Sequence, residues 1–404
     1  MRYKEIRQFN FPLHRYLGLA IGIILAIVGL TGSALVFQSE LDHAAVTLQY
    51  GRIVPEAYRL SPEVVLNKVK TKTIDANKEA IVIASIDLAT ASDLPDKVKI
   101  RLSNNESIEI FVNPYTGNIL GDRPDHNLFK WIYQLHDHLL IGKIGNLEIG
   151  KIIVGIIAFL FLVINLTGVI LWDGWRKLPQ GFTIQWQAKS LRLNYDIHKV
   201  VGILAVIFLT FTAFTGFLWN FKLDKPLARL ITRSSTRLRP TTLESKPTKD
   251  CSILSLTAIL QIADAALPNA VTTKIKLPET PNEVFKVHKK FPQEHGQMGH
   301  SRVAIDPYSG EILELKNGLN LPLYQQVLDS FEEIHYGTFA GLPTRILYVL
   351  VGVTPLILLI TGLVMYIHRH PKVKKIDKSP NLSSLAQTAK KLTILKFKPS
   401  IDEF

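Results

Sequence analysis

The chain has 404 residues, with 47 Lys and Arg against 34 Asp and Glu, for a formal net charge of +13. Mean hydropathy is positive, +0.17, although 20% of the residues are charged, so the apolar residues must be concentrated in blocks. A hydrophobic content of 47% excludes an intrinsically disordered chain. Four uncharged runs, each longer than the roughly 18 residues that mark a membrane span, exclude an ordinary soluble globular protein.

In chain order, residues 1–15 form a short basic N-terminal segment and Tyr16 to Gln38 the first predicted span. The apolar core of that span is too long for the roughly 7–15 residues of a signal-peptide core, so it reads as a retained helix. Residues 39–127 form a first external module. Within it, Ser61-Pro62-Glu63 opens a helix, and Ala80 to Ile86, Lys97 to Leu102 and Ser107 to Val112 read as strands. The turn Asn113-Pro114-Tyr115-Thr116-Gly117 leads into Ile119-Leu120, closing a hairpin. Residues 128–151 are an amphipathic interfacial segment carrying Phe129, Trp131 and Tyr133. A second span over 152–172, a basic loop over 173–199 and a third span over 200–221 follow. The second module, 222–322, repeats the plan with a helix from Leu254 to Ala266 and strands near Thr273 to Leu277, Glu283 to His288, Arg302 to Ile305 and Ile312 to Leu315. A second interfacial segment at 323–345, a fourth span at 346–367 and a basic tail at 368–404 complete the chain. The expected fold is a membrane α-helical bundle of four transmembrane helices in two parallel-oriented repeats, with two small α+β modules.

The basic excess invites a nucleic-acid reading, but its location argues otherwise. Residues 1–15, 173–199 and 368–404 together hold 18 basic and 6 acidic side chains, and the rest of the chain is almost balanced. That is the positive-inside distribution, which makes both termini and the 173–199 loop cytoplasmic and the two modules external. Cys251, the single cysteine, leaves no disulfide framework and no thiolate metal site.

The chain is an internal duplication. His14-Arg15-Tyr16-Leu17-Gly18 matches His198-Lys199-Val200-Val201-Gly202 at a shift of 184, and Thr31-Gly32 matches Thr215-Gly216 at the same shift. The Pro-Tyr-Thr/Ser-Gly turns at 114–117 and 307–310, and Thr167-Gly168 with Thr361-Gly362, repeat at 193 and 194. Copies with an even number of spans share one orientation, related by a pseudo-two-fold axis along the membrane normal.

Twelve histidines are present, and that symmetry organises four of them. His14 would face His198 at the cytoplasmic surface, and His136 would face His335 at the outer one, with His138 an alternative to His136. A single histidine at a helix end reads as an interfacial anchor, and Thr-Gly pairs read as packing contacts. Four histidines in symmetric pairs favour a metal role: two opposed imidazoles suit a six-coordinate haem iron, and the small residues Gly18, Gly22, Gly29, Gly32, Gly202 and Gly216 leave room for a macrocycle. A proton relay through the same histidines stays open. His368 and His370 sit in a basic cluster that reads as topological. The loop from His288 to His300, with His295 and Met298 between, could contact a metal chelate or an anionic substrate, the alternative being a solvated hairpin tip. Arg229, Arg233, Arg237 and Arg239 read as lipid head-group contacts.

The blocks Leu13-His14-Arg15, Gly29-Leu30-Thr31-Gly32, Glu40-Leu41-Asp42, the two Pro-Tyr-Thr/Ser-Gly turns, Leu135-His136, His198 and Ile334-His335-Tyr336-Gly337 resemble the PepSY-associated transmembrane proteins, over about His14 to His368. The resemblance implies a multi-pass bacterial inner-membrane protein with two periplasmic PepSY modules. In ferric reductase members of that family two haem b groups carry electrons outward to siderophore-bound iron. On that resemblance the ligand roles fall to His14, His198, His136 and His335, with no side chain assigned a catalytic role. Asp137 stands where the family pattern often has Arg, which leaves His136 and His138 both open as the outer ligand. A fused flavoprotein module present in longer relatives has no counterpart here, so the expected electron donor is quinol or a separate cytoplasmic reductase. The expected partners are the lipid bilayer and a ferric siderophore or other Fe(III) chelate. The alternative function is a non-enzymatic PepSY interaction protein regulating an envelope peptidase or other partner; transport ranks third, because the four spans contain no charged residue.

Overall fold

The structure, a computed structural model, describes residues 3–77, 82–102, 106–124, 128–233, 243–245, 252–294 and 299–369. The first repeat comprises α1 (Tyr3–Leu35), α2 (Gln38–Tyr50), α3 (Pro62–Asn77), β1 (Val82–Asp87), β2 (Asp96–Arg101), β3 (Ser107–Val112), β4 (Ile119–Pro124), α4 (Leu128–His138) and α5 (Ile149–Leu171). A short α6 (Leu178–Phe182) lies in the connecting loop. The second repeat comprises α7 (Ser190–Asn220), α8 (Asp224–Thr232), α9 (Leu256–Ala266), β5 (Val271–Lys276), β6 (Phe285–Lys290), β7 (Ser301–Ile305), β8 (Ile312–Lys316), α10 (Leu323–Tyr336) and α11 (Leu342–Arg369).

Helices α1, α5, α7 and α11 are long and apolar enough to cross a membrane, and only 22–28% of each apolar window is buried inside the protein. Apolar side chains such as Ile23, Phe159, Leu204 and Leu350 point outward, which is stable only against lipid. The four helices form a ring: α1 packs on α5 and α11, and α7 packs on the same two. Both α1 and α7 start before their apolar runs. The N-terminal turns of α1 are pinned at Arg7, whose guanidinium bonds Asp173 at 2.8 Å, and Tyr195 on α7 donates to the same carboxylate. Gly22 faces Leu359 and Gly29 lies against the backbone of Gly352, so these two glycines serve helix packing rather than space for a ligand.

Each module contributes a four-stranded antiparallel meander, but the two do not stand apart. Strand β1 pairs antiparallel with its counterpart β5, Ser85 opposite Lys276 and Ile86 opposite Ile275, to give one eight-stranded sheet in the order β4-β3-β2-β1-β5-β6-β7-β8. Helices α3 and α9 lie on one face, where Val65, Val69, Ile259 and Ala263 join Ile86, Val98, Ile275, Val287 and Val303 in a single core. Two edge strands, each poorly protected alone, cover one another in this arrangement. The hairpin turns repeat in detail: Asn113 Oδ1 accepts the Tyr115 amide and Asp306 Oδ1 the Tyr308 amide, both at 2.9 Å, and Gly117 and Gly310 take φ of 72° and 73°.

Helix α2 had no clear signal in the sequence. Its position is fixed by tertiary contacts: Arg345 of α11 bonds Glu40 at 2.6 Å and 2.8 Å, Asp42 bonds Arg123 at 2.7 Å, and Tyr50 packs on Phe111 with ring centroids 5.1 Å apart.

Candidate functional site

The four symmetric histidines come together in two pairs. His14 on α1 and His198 on α7 lie with ring centroids 6.1 Å apart and planes at 83°. His136 on α4 and His335 on α10 lie 6.2 Å apart at 77°. From His14 to Thr31 on α1, and from His198 to Thr215 on α7, is 17 residues, about 25 Å of helix, so the pairs occupy opposite ends of the bundle.

Each imidazole is held by the threonine of a Thr-Gly pair on a neighbouring helix of its own repeat. His14 Nδ1 lies 3.0 Å from Thr167 Oγ1, His198 Nδ1 2.9 Å from Thr361 Oγ1, His136 Nδ1 3.2 Å from Thr31 Oγ1, and His335 Nδ1 2.7 Å from Thr215 Oγ1. The direction of these bonds follows from the hydroxyl proton. All four threonines donate it to a backbone carbonyl of their own helix: Thr167 to Ile164 at 2.9 Å, and Thr31 to Ile27, Thr215 to Phe211 and Thr361 to Ile357 each at 2.8 Å. The oxygen can then only accept, so Nδ1–H donates and the lone pair is left on Nε2. Carbonyls of Ile164 and Val28 lie 3.2 Å and 2.9 Å from His14 and His136 Nδ1 and favour the same tautomer.

The glycine of each pair makes room for the ring. A methyl group at Gly32, Gly168, Gly362 or Gly216 would meet the imidazole at 3.0, 3.2, 3.7 and 3.8 Å respectively. The Thr-Gly pairs were legible in the sequence as repeats; their role as imidazole seats was not. The shared shift of 184 for His14/His198 and Thr31/Thr215 was the signal that tied them together.

Burial pushes the His136 and His335 imidazoles below their ordinary pKa; for His335, to about 3, the neighbouring His136 adds to the effect. Both rings are therefore neutral at pH 7. Trp219 packs against His335 with centroids 4.7 Å apart, and Tyr336 packs on Trp219 at 6.1 Å. His138 does not share this site: its Nδ1 bonds Asp137 at 3.2 Å. Among the described residues no three His, Cys, Asp or Glu side chains converge into a group that could hold a metal ion.

The 288–300 segment is built differently from the expected loop. His288 is part of β6, and β7 begins directly after His300. Glu294 closes the base of the connection, accepting from the amides of Phe291 at 2.6 Å and His300 at 2.9 Å. His300 Nδ1 lies 3.5 Å from Asp329. His295 and Met298 lie outside the described residues, as do Cys251, His126, His370, Arg237, Arg239 and most of the basic tail.

A search of curated proteins finds no significant match. Residues 11–369 match the PepSY-associated TM region, a stretch that contains both histidine pairs, all four threonine seats and both halves of the sheet. The chain belongs to the PepSY-associated transmembrane family.

Proposed function

We propose that this protein is a di-haem b electron carrier of the bacterial inner membrane that reduces a periplasmic ferric chelate, a siderophore-iron reductase serving iron acquisition. The reading rests on one observation: two opposed imidazole pairs at the two ends of a four-helix bundle, all with Nδ1–H bonded away and Nε2 bare. The ring centroids of the pairs stand 6.1 and 6.2 Å apart, a separation at which both imidazoles of a pair would be within reach of one metal ion. Each pair offers two ligands and no third side chain joins it among the described residues, which is the donor set a porphyrin iron asks of a protein. A methyl group added at Gly18 would meet nothing within 4 Å, and one at its repeat mate Gly202 only Leu358 at 3.7 Å.

Haem bound at such pairs supplies one-electron redox chemistry. The chain's own residues would do the rest. His14 and His198 hold the inner position, His136 and His335 the outer one. Thr167, Thr361, Thr31 and Thr215 keep the imidazoles in the ligating tautomer and fix their rotation. Apolar spans exclude water between the two layers. In this reading the charge distribution puts both termini in the cytoplasm and the sheet in the periplasm, with the repeats related by an axis along the membrane normal. The donor is quinol or a separate cytoplasmic reductase. Each Fe(III) chelate takes up one electron and becomes an Fe(II) chelate, which a hard-oxygen ligand set holds less tightly.

The test is an optical spectrum of the detergent-purified protein, oxidised and dithionite-reduced, with haem quantified as its pyridine complex. The expected result is about two low-spin haems per chain, with about one lost in His14→Ala and a different one lost in His335→Ala. Protein without haem from cells supplied with it would overturn the reading and favour the PepSY interaction role instead.

A further inference from the structure

Strand pairing fixes which side chains share the face of the sheet opposite α3 and α9. Ile275, Val287 and Val303 point into the core, so by two-residue alternation Lys274 and Lys276, Lys286 and His288, and Arg302 point the other way. In register these residues are direct neighbours: Lys276 lies opposite Lys286, Lys274 opposite His288, and His288 opposite Arg302. Lys99 of β2 extends the row across Ser85 of β1. Like charges placed directly opposite each other destabilise a sheet, so this arrangement costs the fold something that packing does not return.

Counter-charge is sparse. Lys274 bonds Asp87 at 2.7 Å and Arg302 bonds Glu314 at 2.6 Å. Lys276 and Lys286 make no ion pair among the described residues, and His288 Nε2 is buried without a hydrogen-bond partner. Burial, followed by the charges of Lys274, Lys286 and Arg302, holds the Lys276 ammonium below its ordinary pKa.

The face is turned toward the outer histidine pair. Asp42, on the helix that follows α1, reaches Lys97 at 3.3 Å on this face. Asp329 of α10 reaches Lys316 at 3.8 Å at the β8 side. Asp329 precedes His335 by six residues on the same helix, about 9 Å of axial rise.

We infer that the helix-free face around Lys276, Lys286, His288 and Arg302 is the docking floor for a soluble polyanionic metal chelate, one whose donor groups leave net negative charge on the complex. The inference deepens the reductase reading and takes from it the identity of the metal. Charge complementarity is the argument for the occupant: a neutral or cationic chelate would gain nothing from an uncompensated basic row.

The experiment separates docking from electron transfer by using a redox-inert ion. Binding of gallium(III) citrate to the full detergent-purified chain is measured by equilibrium dialysis, against a neutral gallium(III) trihydroxamate as the comparison probe. The double variant Lys276→Glu/Lys286→Glu should weaken citrate-complex binding by about tenfold or more. Lys276→Arg/Lys286→Arg should keep it, and Lys70→Glu on the opposite face of the sheet should leave it unchanged. The milder Lys276→Gln/Lys286→Gln, which adds no repulsion, should show a smaller loss of the same sign. Equal binding of the neutral complex, or of the citrate complex to the Glu variant, would overturn the inference. So would displacement by vesicles containing anionic phosphatidylglycerol but not by vesicles of neutral phosphatidylcholine, which would assign the face to lipid. Gallium citrate bound by a haem-free protein would sink the reductase reading alone; haem present with no gallium citrate bound would sink the docking floor alone.

Discussion

The two halves of the sheet have the same strands and different electrostatics. In the first half the basic side chains on the helix-free face are answered. Arg123 bonds Asp42 and Glu109, both at 2.7 Å, and Lys97 lies 3.3 Å from Asp42 and 3.8 Å from Glu109. In the second half Lys276, Lys286 and His288 have no such partners among the described residues. The histidine seats, by contrast, are repeated almost atom for atom. Duplication has kept what the bundle needs twice and let the two faces diverge, which is the pattern expected when only one face has acquired a ligand.

The comparison can be broken most severely at its compensated end. Arg123→Ala removes the 2.7 Å partner of both Asp42 and Glu109 and leaves the two half-buried carboxylates to share the more distant Lys97, and should destabilise the protein by about 1–3 kcal/mol, read as a lower thermal midpoint in detergent. The opposed change in the other half, Lys286→Ala, should cost almost nothing or stabilise slightly. Equal losses at the two positions would mean that the halves are electrostatically alike after all.

A smaller effect should come from the feature the halves share. Thr31→Val and Thr215→Val each remove one Nδ1 acceptor, while the carbonyls of Val28 and Thr212 still serve His136 and His335. On the haem reading each variant should shift the midpoint potential of the outer centre and leave the inner one unmoved. A shift of both centres, or of neither, would remove the threonines from the role of positioning residues.

The smallest expected effect is a pH dependence that distinguishes the faces. Burial first, then Arg302, Lys276 and Lys274, hold the His288 pKa down to about 4. A histidine with a folded pKa below its unfolded value near 6.5 binds its proton more readily when unfolded. Its contribution to stability is complete above about pH 6.5 and is lost as pH falls toward 4. In the first half burial opposes ionisation of Asp42, but Arg123 and Lys97 outweigh it and hold the carboxyl below its ordinary value. That contribution is present above the ordinary carboxylate range and fades only at lower pH, as the folded pKa is passed. His288→Gln should therefore flatten the stability profile between pH 6.5 and 4 and leave the steeper acid limb unchanged. An unaltered profile would mean that His288 is hydrated in the folded protein.

The four spans, the duplication, the two modules and the histidine pairing were legible in the sequence, because each depends on local pattern. A run of apolar residues specifies a span by transfer energy alone, and a two-fold repeat specifies which residues are equivalent. Helix α2 was not legible, since Glu40, Asp42 and Tyr50 acquire their anchors only from Arg345, Arg123 and Phe111, which are distant in sequence. Nor was the fusion of the modules: nothing in β1 or β5 alone says that each edge will pair with the other. The sequence by itself determined that His14, His198, His136 and His335 form two equivalent couples. Only the tertiary structure decided that each ring would be seated on a threonine whose own proton is already committed, because that depends on how the neighbouring helices cross and on a glycine leaving space at the crossing.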